Sequence, residues 1–205
     1  MHIGLDFDNT IVSYDALFHK VALEGGWITS DVPVSKVSVR DHLRSNGQEP
    51  VWTEMQGYVY GARMDEANSY PGVLTCLAWA RDQGIPVSIV SHKTQHPFLG
   101  KQYDLHKAAQ HWIDLYLKDE KGSLISPEKV YFEITKESKV KRIAEIGCTV
   151  YVDDLPEILL ASGFPKSVNK ILFDPDAHHE GQSLPRVRDW VEVQSNLEMQ
   201  WRATV

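Results

Sequence analysis

Short apolar runs alternate with amphipathic segments along most of the chain, in the lengths expected of strands and helices. The runs of strand length are residues 3–5, 87–91, 130–132, 149–152 and 170–173. Segments with a helical spacing of apolar residues lie between consecutive runs. Strands that alternate with helices of this length favour βαβ crossovers. The pattern therefore predicts an α/β protein with a Rossmann-like, mostly parallel sheet flanked by helices.

The interval between the first and second apolar runs is much longer than a simple crossover needs. It contains predicted helices at residues 14–23 and 52–64. Between them lies an irregular stretch, residues 27–50, with a short helix candidate near residues 39–44. We predict that residues 14–69 form a small helical insertion. Residues 1–13 and 70–205 then form the α/β core domain.

The remaining helices are predicted from periodicity and from residues that start or stop helices. Their predicted ranges are residues 73–83, 104–118, 136–146 and 156–162. Thr135 and Ser138 are alternative caps for the third of these. Beyond residue 175 the chain is polar, and the apolar positions around Trp190 predict a last strand or helix.

Composition narrows the class of protein. The chain of 205 residues is long enough for one α/β domain with a small insertion. Its net charge of -7 argues against a nucleic-acid or membrane surface, although a local cation would still permit a phosphorylated ligand. Cys76 and Cys148 lie in apolar segments, which predicts buried free thiols in a reducing compartment. With no apolar run of membrane-spanning length and no basic leader, we expect a cytoplasmic location; the oligomeric state is open.

Candidate chemistry begins directly after the first apolar run, where the chain reads I-G-L-D-F-D-N-T-I. Asp6 falls at the carboxyl end of the predicted strand, the edge where open α/β sheets build their sites. A turn there lets Asp6 and Asp8 converge, with Thr10 following. Converging carboxylates repel unless a cation or a proton neutralises them, which suits Mg²⁺. The alternative is an acidic turn with no chemistry.

Two further apolar runs end in polar residues. Ser91 closes the second run and is followed by His92, and Asp153 and Asp154 close the fourth. A lysine-rich predicted helix lies between them. Each feature has a structural alternative: a strand-end serine commonly caps a turn, and an acidic pair before Pro156 commonly caps a helix. Their order, Asp-x-Asp-x-Thr, Ser, Lys and Asp-Asp, is what gives them weight together.

This ordered set resembles the haloacid dehalogenase-like (HAD) phosphohydrolase superfamily, over about three quarters of the chain. The resemblance implies a small helical cap inserted after the first strand, Mg²⁺ as cofactor and an aspartyl-phosphate intermediate. The implied catalytic residues are Asp6, Asp8, Ser91 and Lys139. The implied phosphate-binding residues are Phe7, Asp8, Thr10, Ser91, His92 and Lys139. The implied metal ligands are Asp6, Asp8 through its backbone carbonyl, Asp153 and Asp154.

Two assignments within this set stay open at the level of sequence. Lys136, Lys139 and Lys141 all lie near the start of one helix, where the helix dipole disfavours cations, and Lys139 matches the superfamily's pattern best. Which of Asp153 and Asp154 contacts the metal is undecided. The loop at residues 92–96 is expected either to contact the leaving group or to be an ordinary polar loop.

We therefore predict a Mg²⁺-dependent phosphomonoester hydrolase acting on a small phosphorylated metabolite, such as a sugar phosphate or nucleotide. Members of the superfamily that cleave carbon–halogen bonds look different at the position of Asp8, which favours phosphate chemistry. The alternatives are a phosphotransferase or phosphomutase of the same fold, and a non-catalytic protein that binds phosphorylated ligands.

Overall fold

A computed structural model describes residues 1–203 of the chain. The strands are β1 (Ile3–Leu5), β2 (Val12–Ser13), β3 (Asn68–Ser69), β4 (Val87–His92), β5 (Lys118–Asp119), β6 (Gly122–Ser123), β7 (Val130–Glu133), β8 (Val150–Asp153), β9 (Asn169–Phe173) and β10 (Arg186–Val187). The α-helices are α1 (Asp15–Glu24), α2 (Lys36–Ser45), α3 (Glu49–Gly61), α4 (Val73–Asp82), α5 (Leu105–Tyr116), α6 (Lys136–Glu145), α7 (Pro156–Leu159) and α8 (Trp190–Arg202). Short 3-10 helices lie at Met64–Glu66 and Pro127–Lys129.

A parallel sheet organises the fold and confirms the predicted α/β class. Within residues 1–203 the sheet has six strands in the order β10-β9-β8-β1-β4-β7, and β1 pairs in parallel with both β4 and β8. The chain first builds the sheet from β1 towards β7 and then returns to the other side of β1 to add β8, β9 and β10. This reversal next to β1 is the point where sheets of this kind open a crevice at the carboxyl ends of their strands.

Strand register brings three polar strand ends to the same edge of the sheet. Leu5 is in register with Ile89 on one side and with Val152 on the other. The residues that follow at the carboxyl ends of these strands are Asp6, Ser91 and Asp153. All three are buried.

An apolar layer under α6 and α7 anchors the helices to the sheet. It includes Val140 and Ile143 from α6, Ile158 from α7 and Tyr151 from β8. The Tyr151 hydroxyl donates a hydrogen bond to the Val90 carbonyl oxygen. Gly4 lies beneath this layer, and a Cβ atom there would come within 2.6 Å of the Cys148 sulfur and the Tyr151 ring. Only glycine therefore allows β1 to approach its neighbours at this point.

The chain folds into two compact units. The sheet unit comprises Met1–Ile11, Ser69–Lys93 and the chain from Asp114 onward, and the helical unit comprises Val12–Asn68 and Thr94–Ile113. The predicted limits of the cap, residues 14–69, stay a prediction. The helical unit also takes in residues 94–113, which the sequence pattern assigns to the core.

Aromatic rings fill the core of the helical unit. The Phe18 ring lies 5.0 Å from the Trp52 ring and 5.6 Å from the Tyr60 ring, measured between centroids. Trp112 donates its indole N–H to the Ala67 carbonyl oxygen at 2.9 Å. This hydrogen bond and the close approach of Gly57 to Pro97 explain why residues 94–113 pack with this unit.

Most predicted elements are present, with shifted ends. The helix expected at residues 52–64 is α3, which begins earlier because Pro50 fits the first turn of a helix, where its missing N–H is not needed. The helix expected at residues 156–162 stops at Leu159. The last apolar segment is helix α8, and strand β10 has no counterpart among the predicted elements. In residues 1–203, none of the helices is both long enough and apolar enough to cross a bilayer.

Candidate active site

The loop after β1 turns sharply and keeps Asp6 and Asp8 close to the end of the strand. The Asp6 N–H donates to the Val152 carbonyl oxygen at 2.9 Å, which continues the pairing with β8 by one residue. Asn9 then adopts a left-handed conformation with φ 60°, which asparagine tolerates better than most residues. The Ile11 N–H closes the turn on the Phe7 carbonyl oxygen at 3.0 Å.

The Asp6 carboxylate is the centre of the site. Its Oδ1 accepts a hydrogen bond from the Ser91 hydroxyl at 2.9 Å and one from the Lys139 ammonium at 2.7 Å. Its Oδ2 lies 3.5 Å from the Thr10 hydroxyl. The structure thus brings the predicted Asp6, Thr10, Ser91 and Lys139 together, although their catalytic roles stay predictions.

Helix α6 places Lys139 in this group, and a capping box fixes the start of the helix. The Thr135 hydroxyl accepts from the Ser138 N–H, and Ser138 reciprocates at the Thr135 backbone N–H. Lys139 lies on the buried face with Val140 and Ile143. The two alternative lysines lie elsewhere, since Lys136 pairs with Glu157 at 2.7 Å and Lys141 is an exposed residue beside Glu145.

Lys139 bridges two buried carboxylates. Its ammonium nitrogen lies 2.7 Å from Asp6 Oδ1 and 2.7 Å from Asp153 Oδ2. Burial by itself lowers the pKa of Lys139, but the charges of Asp153 and Asp6 outweigh burial and raise the pKa above its usual value. Lys139 is therefore a fixed positive charge at the base of the site.

Asp153 and Asp154 complete an acidic cluster with Asp6. One carboxylate oxygen from each of the three lies within 4.8 Å of the others. Asp153 Oδ1 accepts the Leu155 N–H at 2.9 Å, while its Oδ2 accepts no well-directed hydrogen bond from any described residue and contacts the Lys139 ammonium as an ion pair. Burial raises the pKa of Asp153 to about 7, the Lys139 charge opposes this, and the Asp6 charge adds to it.

This cluster fits a hard divalent cation. Three carboxylates offer oxygen ligands, and the Lys139 ammonium contacts two of them, Asp6 and Asp153. Oxygen-only donors suit Mg²⁺ or Ca²⁺ better than zinc or copper. The alternative role of an acidic helix cap applies only in part: Asp153 does accept the Leu155 N–H before α7, yet its second oxygen faces Asp6 and Lys139.

Asp8 has a partner that the sequence did not reveal. The Lys93 ammonium lies 3.0 Å from Asp8 Oδ1 and 2.7 Å from Asp8 Oδ2. The Lys93 side chain is 3% exposed and the Asp8 side chain 20% exposed. The signal that points to Lys93 is its spacing of two residues from Ser91, which places both residues on one side of an extended segment.

The other predicted phosphate-binding residues are placed in different ways. The Phe7 ring is buried edge-on against Phe132, so Phe7 offers only its backbone to a ligand. The His92 ring turns away and its Nε2 lies 3.1 Å from the Ile134 carbonyl oxygen. This is the expected direction for the residue between Ser91 and Lys93, because side chains alternate along a strand.

The fold of the chain matches solved structures of HAD-superfamily hydrolases. A HAD family hydrolase from Deinococcus radiodurans, solved with bound phosphate and sodium, aligns over 97% of this chain and 95% of its own with a TM-score of 0.60 and 14% identity. A predicted phosphoglycolate phosphatase from Haemophilus somnus aligns over 96% of this chain and 97% of its own, with a TM-score of 0.55 and 15% identity. A protein described as a dehalogenase aligns over 95% and 96%, with a TM-score of 0.54 and 11% identity.

No family model and no curated protein matches the chain. The identities to the solved structures are low, so the similarity establishes the fold alone. The chain therefore has the fold of the HAD-superfamily hydrolases.

Proposed function

We propose that this protein is a Mg²⁺-dependent phosphomonoester hydrolase that works through an aspartyl-phosphate at Asp6. Its proposed substrate is a small phosphorylated metabolite of the cytoplasm, such as a sugar phosphate or a nucleotide. The observation that carries the proposal is the setting of Asp6. A buried carboxylate with a hydroxyl and an ammonium on one oxygen lies within a cluster of three carboxylates, with a fourth carboxylate on the same loop.

A carboxylate nucleophile and a phosphoryl group are both negatively charged, so their approach requires compensating charge. Lys139 supplies one fixed positive charge beside Asp6. Mg²⁺ held by Asp6, Asp153 and Asp154, when bound, would neutralise further charge on the phosphoryl oxygens. The Ser91 hydroxyl, which donates to Asp6 Oδ1, would donate a hydrogen bond to a phosphoryl oxygen once Asp6 has bonded to phosphorus.

The proposed reaction has two steps. In the first, an Asp6 oxygen forms a bond to phosphorus, the bond from phosphorus to the leaving oxygen breaks, and Asp8 gives its proton to that oxygen. In the second, Asp8 takes a proton from water, the water oxygen bonds to phosphorus, and the bond to Asp6 breaks. The products are the alcohol and inorganic phosphate, with both aspartates returned to their starting states.

Dehalogenation is the competing chemistry on this fold, because one structural neighbour is described as a dehalogenase. A halide leaves without needing a proton, so a general acid next to the nucleophile has no task in the first step of that reaction. Here Asp8 is on the nucleophile's loop and is held by Lys93 through both of its oxygens. This favours a reaction whose leaving group must be protonated.

The test is phosphate release from an aryl phosphate and from a panel of phosphorylated metabolites, measured with Mg²⁺ and with EDTA. We expect Mg²⁺-dependent release by the wild type and none by Asp6→Asn. Lys141→Met is a matched control, since Lys141 is exposed on the same helix that carries Lys139. Halide release from 2-haloacids, measured in parallel, should be absent.

Acid quenching during turnover adds a second readout. We expect one phosphoryl group on the peptide that contains Asp6, found by mass spectrometry and lost in Asp6→Asn. Halide release without metal would replace the proposal with dehalogenation. A phosphorylated Asp6 that turns over only when a sugar alcohol is added would indicate a phosphotransferase. Folded protein that binds Mg²⁺ but never becomes phosphorylated would indicate a binding role.

A further inference from the structure

Lys93 is a buried cation that the proposed mechanism has not used. Its ammonium contacts both oxygens of Asp8, at 2.7 Å and 3.0 Å. It is also 5.7 Å from the centre of the Phe7 ring, on the same loop as Asp8. A lysine on a surface loop normally keeps its ammonium in water, so this degree of burial needs a reason.

The backbone of Lys93 is fixed as firmly as its side chain. Its N–H donates to the Glu133 carbonyl oxygen at 2.9 Å, which extends the pairing of β4 with β7 beyond the last residue of β4. Ser91 and Lys93 are therefore two residues apart on a continuous, paired segment. Ser91 contacts Asp6 and Lys93 contacts Asp8, so one strand end supports both carboxylates of the loop.

We propose that Lys93 is a positioning residue for the phosphoryl transfer: it holds the Asp8 carboxylate in the orientation from which Asp8 exchanges a proton with the leaving oxygen. This inference rests on the proposed function. Proton transfer requires the acid to lie within hydrogen-bond distance of the oxygen that it protonates, so a rotating carboxylate would lose most of its effect. A salt bridge to both carboxylate oxygens removes that freedom.

The alternative role for Lys93 is direct binding of the substrate phosphate. The contacts favour positioning, because the ammonium lies within hydrogen-bond distance of both oxygens of Asp8. The two roles predict different kinetics. A positioning residue affects the step in which the leaving group departs, whereas a phosphate ligand affects the binding of every phosphate ester equally.

The experiment compares Lys93→Met with the wild type on two substrates of different leaving ability. Methionine keeps much of the length of the side chain and removes the charge. For an alkyl phosphate, whose leaving oxygen needs a proton, we expect the single-turnover rate of leaving-group release to fall by roughly 10- to 100-fold, with the half-saturating substrate concentration little changed. For dinitrophenyl phosphate, whose phenolate leaves without a proton, we expect that rate to fall by less than about threefold. Steady-state kcat can fall for both substrates, because Asp8 also takes a proton from water in the second step that they share. Lys141→Met should match the wild type on both substrates.

A double-mutant cycle separates positioning from every other role. If Lys93 acts only through Asp8, adding Lys93→Met to Asp8→Asn should cause no further loss on the alkyl phosphate. Lys93→Arg should recover part of kcat, because a guanidinium can also engage both carboxylate oxygens. Circular dichroism and the melting temperature of each variant identify any loss that comes from misfolding.

Equal losses of the leaving-group release rate on both substrates, an effect on the half-saturating concentration alone, or a full additional loss in the Asp8→Asn background would overturn the positioning role. A failure of the proposed function would give a different experimental result. In that case the wild type itself releases no phosphate and Asp6 carries no phosphoryl group, before any Lys93 variant is compared.

Discussion

Two buried aspartates follow neighbouring strands of the same sheet, yet their electrostatic surroundings are opposite. Asp153 ends β8, and Asp174 directly follows β9, which pairs with β8 in parallel. Burial acts to raise the pKa of both carboxyl groups. The pKa of Asp153 rises to about 7, whereas the pKa of Asp174 ends below its ordinary value.

The difference lies in the donors that surround each carboxylate. Asp174 accepts the His178 N–H at 2.8 Å, the His179 N–H at 3.0 Å and the Arg186 guanidinium at 3.1 Å. Asp153 instead shares one ammonium with a second carboxylate, that of Asp6. A carboxylate surrounded by hydrogen-bond donors holds a loop in place. A carboxylate close to other carboxylates instead favours the binding of a cation.

The largest expected effect is on activity, through Asp153. Asp153→Asn should lower metal-dependent phosphate release by roughly 10³-fold, because it removes a charged oxygen from the acidic cluster. Its melting temperature in EDTA should be equal to or higher than that of the wild type, because the isosteric amide no longer repels Asp6. Asp176→Asn, an exposed residue two positions after Asp174, is the control. A strongly destabilised Asp153→Asn would make Asp153 a structural residue like Asp174.

Asp174 should show the reverse behaviour. Asp174→Asn replaces one of the two acceptor oxygens with an N–H₂ group, which cannot accept from the donors that surround Asp174. We expect the free energy of unfolding to fall by about 2–4 kcal/mol. Activity per folded molecule should stay near that of the wild type. Urea denaturation followed by circular dichroism measures the first quantity, and phosphate release corrected for the folded fraction measures the second. Loss of activity without loss of stability would connect the loop after β9 to catalysis.

The hydrophobic pattern is a good guide to residues whose position depends on the ends of strands. Asp6, Ser91 and Asp153 come together because the carboxyl ends of β1, β4 and β8 meet at one edge, and apolar runs reveal those ends. Lys139 is harder to identify, because the rotation of a helix is set by packing. Only the burial of Val140 and Ile143 decides that Lys139, and not Lys136, faces the sheet.

Contacts that depend on how a loop folds back have no comparable signal in the sequence. For the loop at residues 92–96 the pattern leaves two roles open, contact with the leaving group or an ordinary polar loop. The added pairing to Glu133 that carries Lys93 alongside Ser91 is not visible in the pattern. The histidines 178 and 179 likewise act through their backbone N–H groups, which turn towards Asp174. Backbone donors of this kind carry no signature of residue type.

A smaller effect is expected on the pH dependence of metal binding. A proton on Asp153 competes with the metal, and burial raises the pKa of that carboxyl group to about 7. Mg²⁺ affinity should therefore fall by up to about tenfold for each unit of pH below that value and level off above it. Isothermal titration calorimetry of the wild type between about pH 5.5 and pH 8, roughly the range over which such a group titrates, measures this. A flat profile would contradict the electrostatic state assigned to Asp153.

The smallest effect is on how stability varies with pH in EDTA, where the two aspartates should act in opposite directions. The folded pKa of Asp174 is lowered, so its ionised form stabilises the protein above about pH 4 and this stabilisation is lost as the pH falls below that value. The stability lost in Asp174→Asn relative to the wild type should therefore shrink in acid.

The folded pKa of Asp153 is raised, so its ionisation weakens the fold as the pH rises from about 4 to about 7. Asp153→Asn should accordingly gain stability relative to the wild type over that interval. Melting temperatures of the three proteins from about pH 2.5 to about pH 7 cover both titrations and give the two slopes. Slopes of the same sign would contradict the opposite electrostatic states assigned to Asp153 and Asp174.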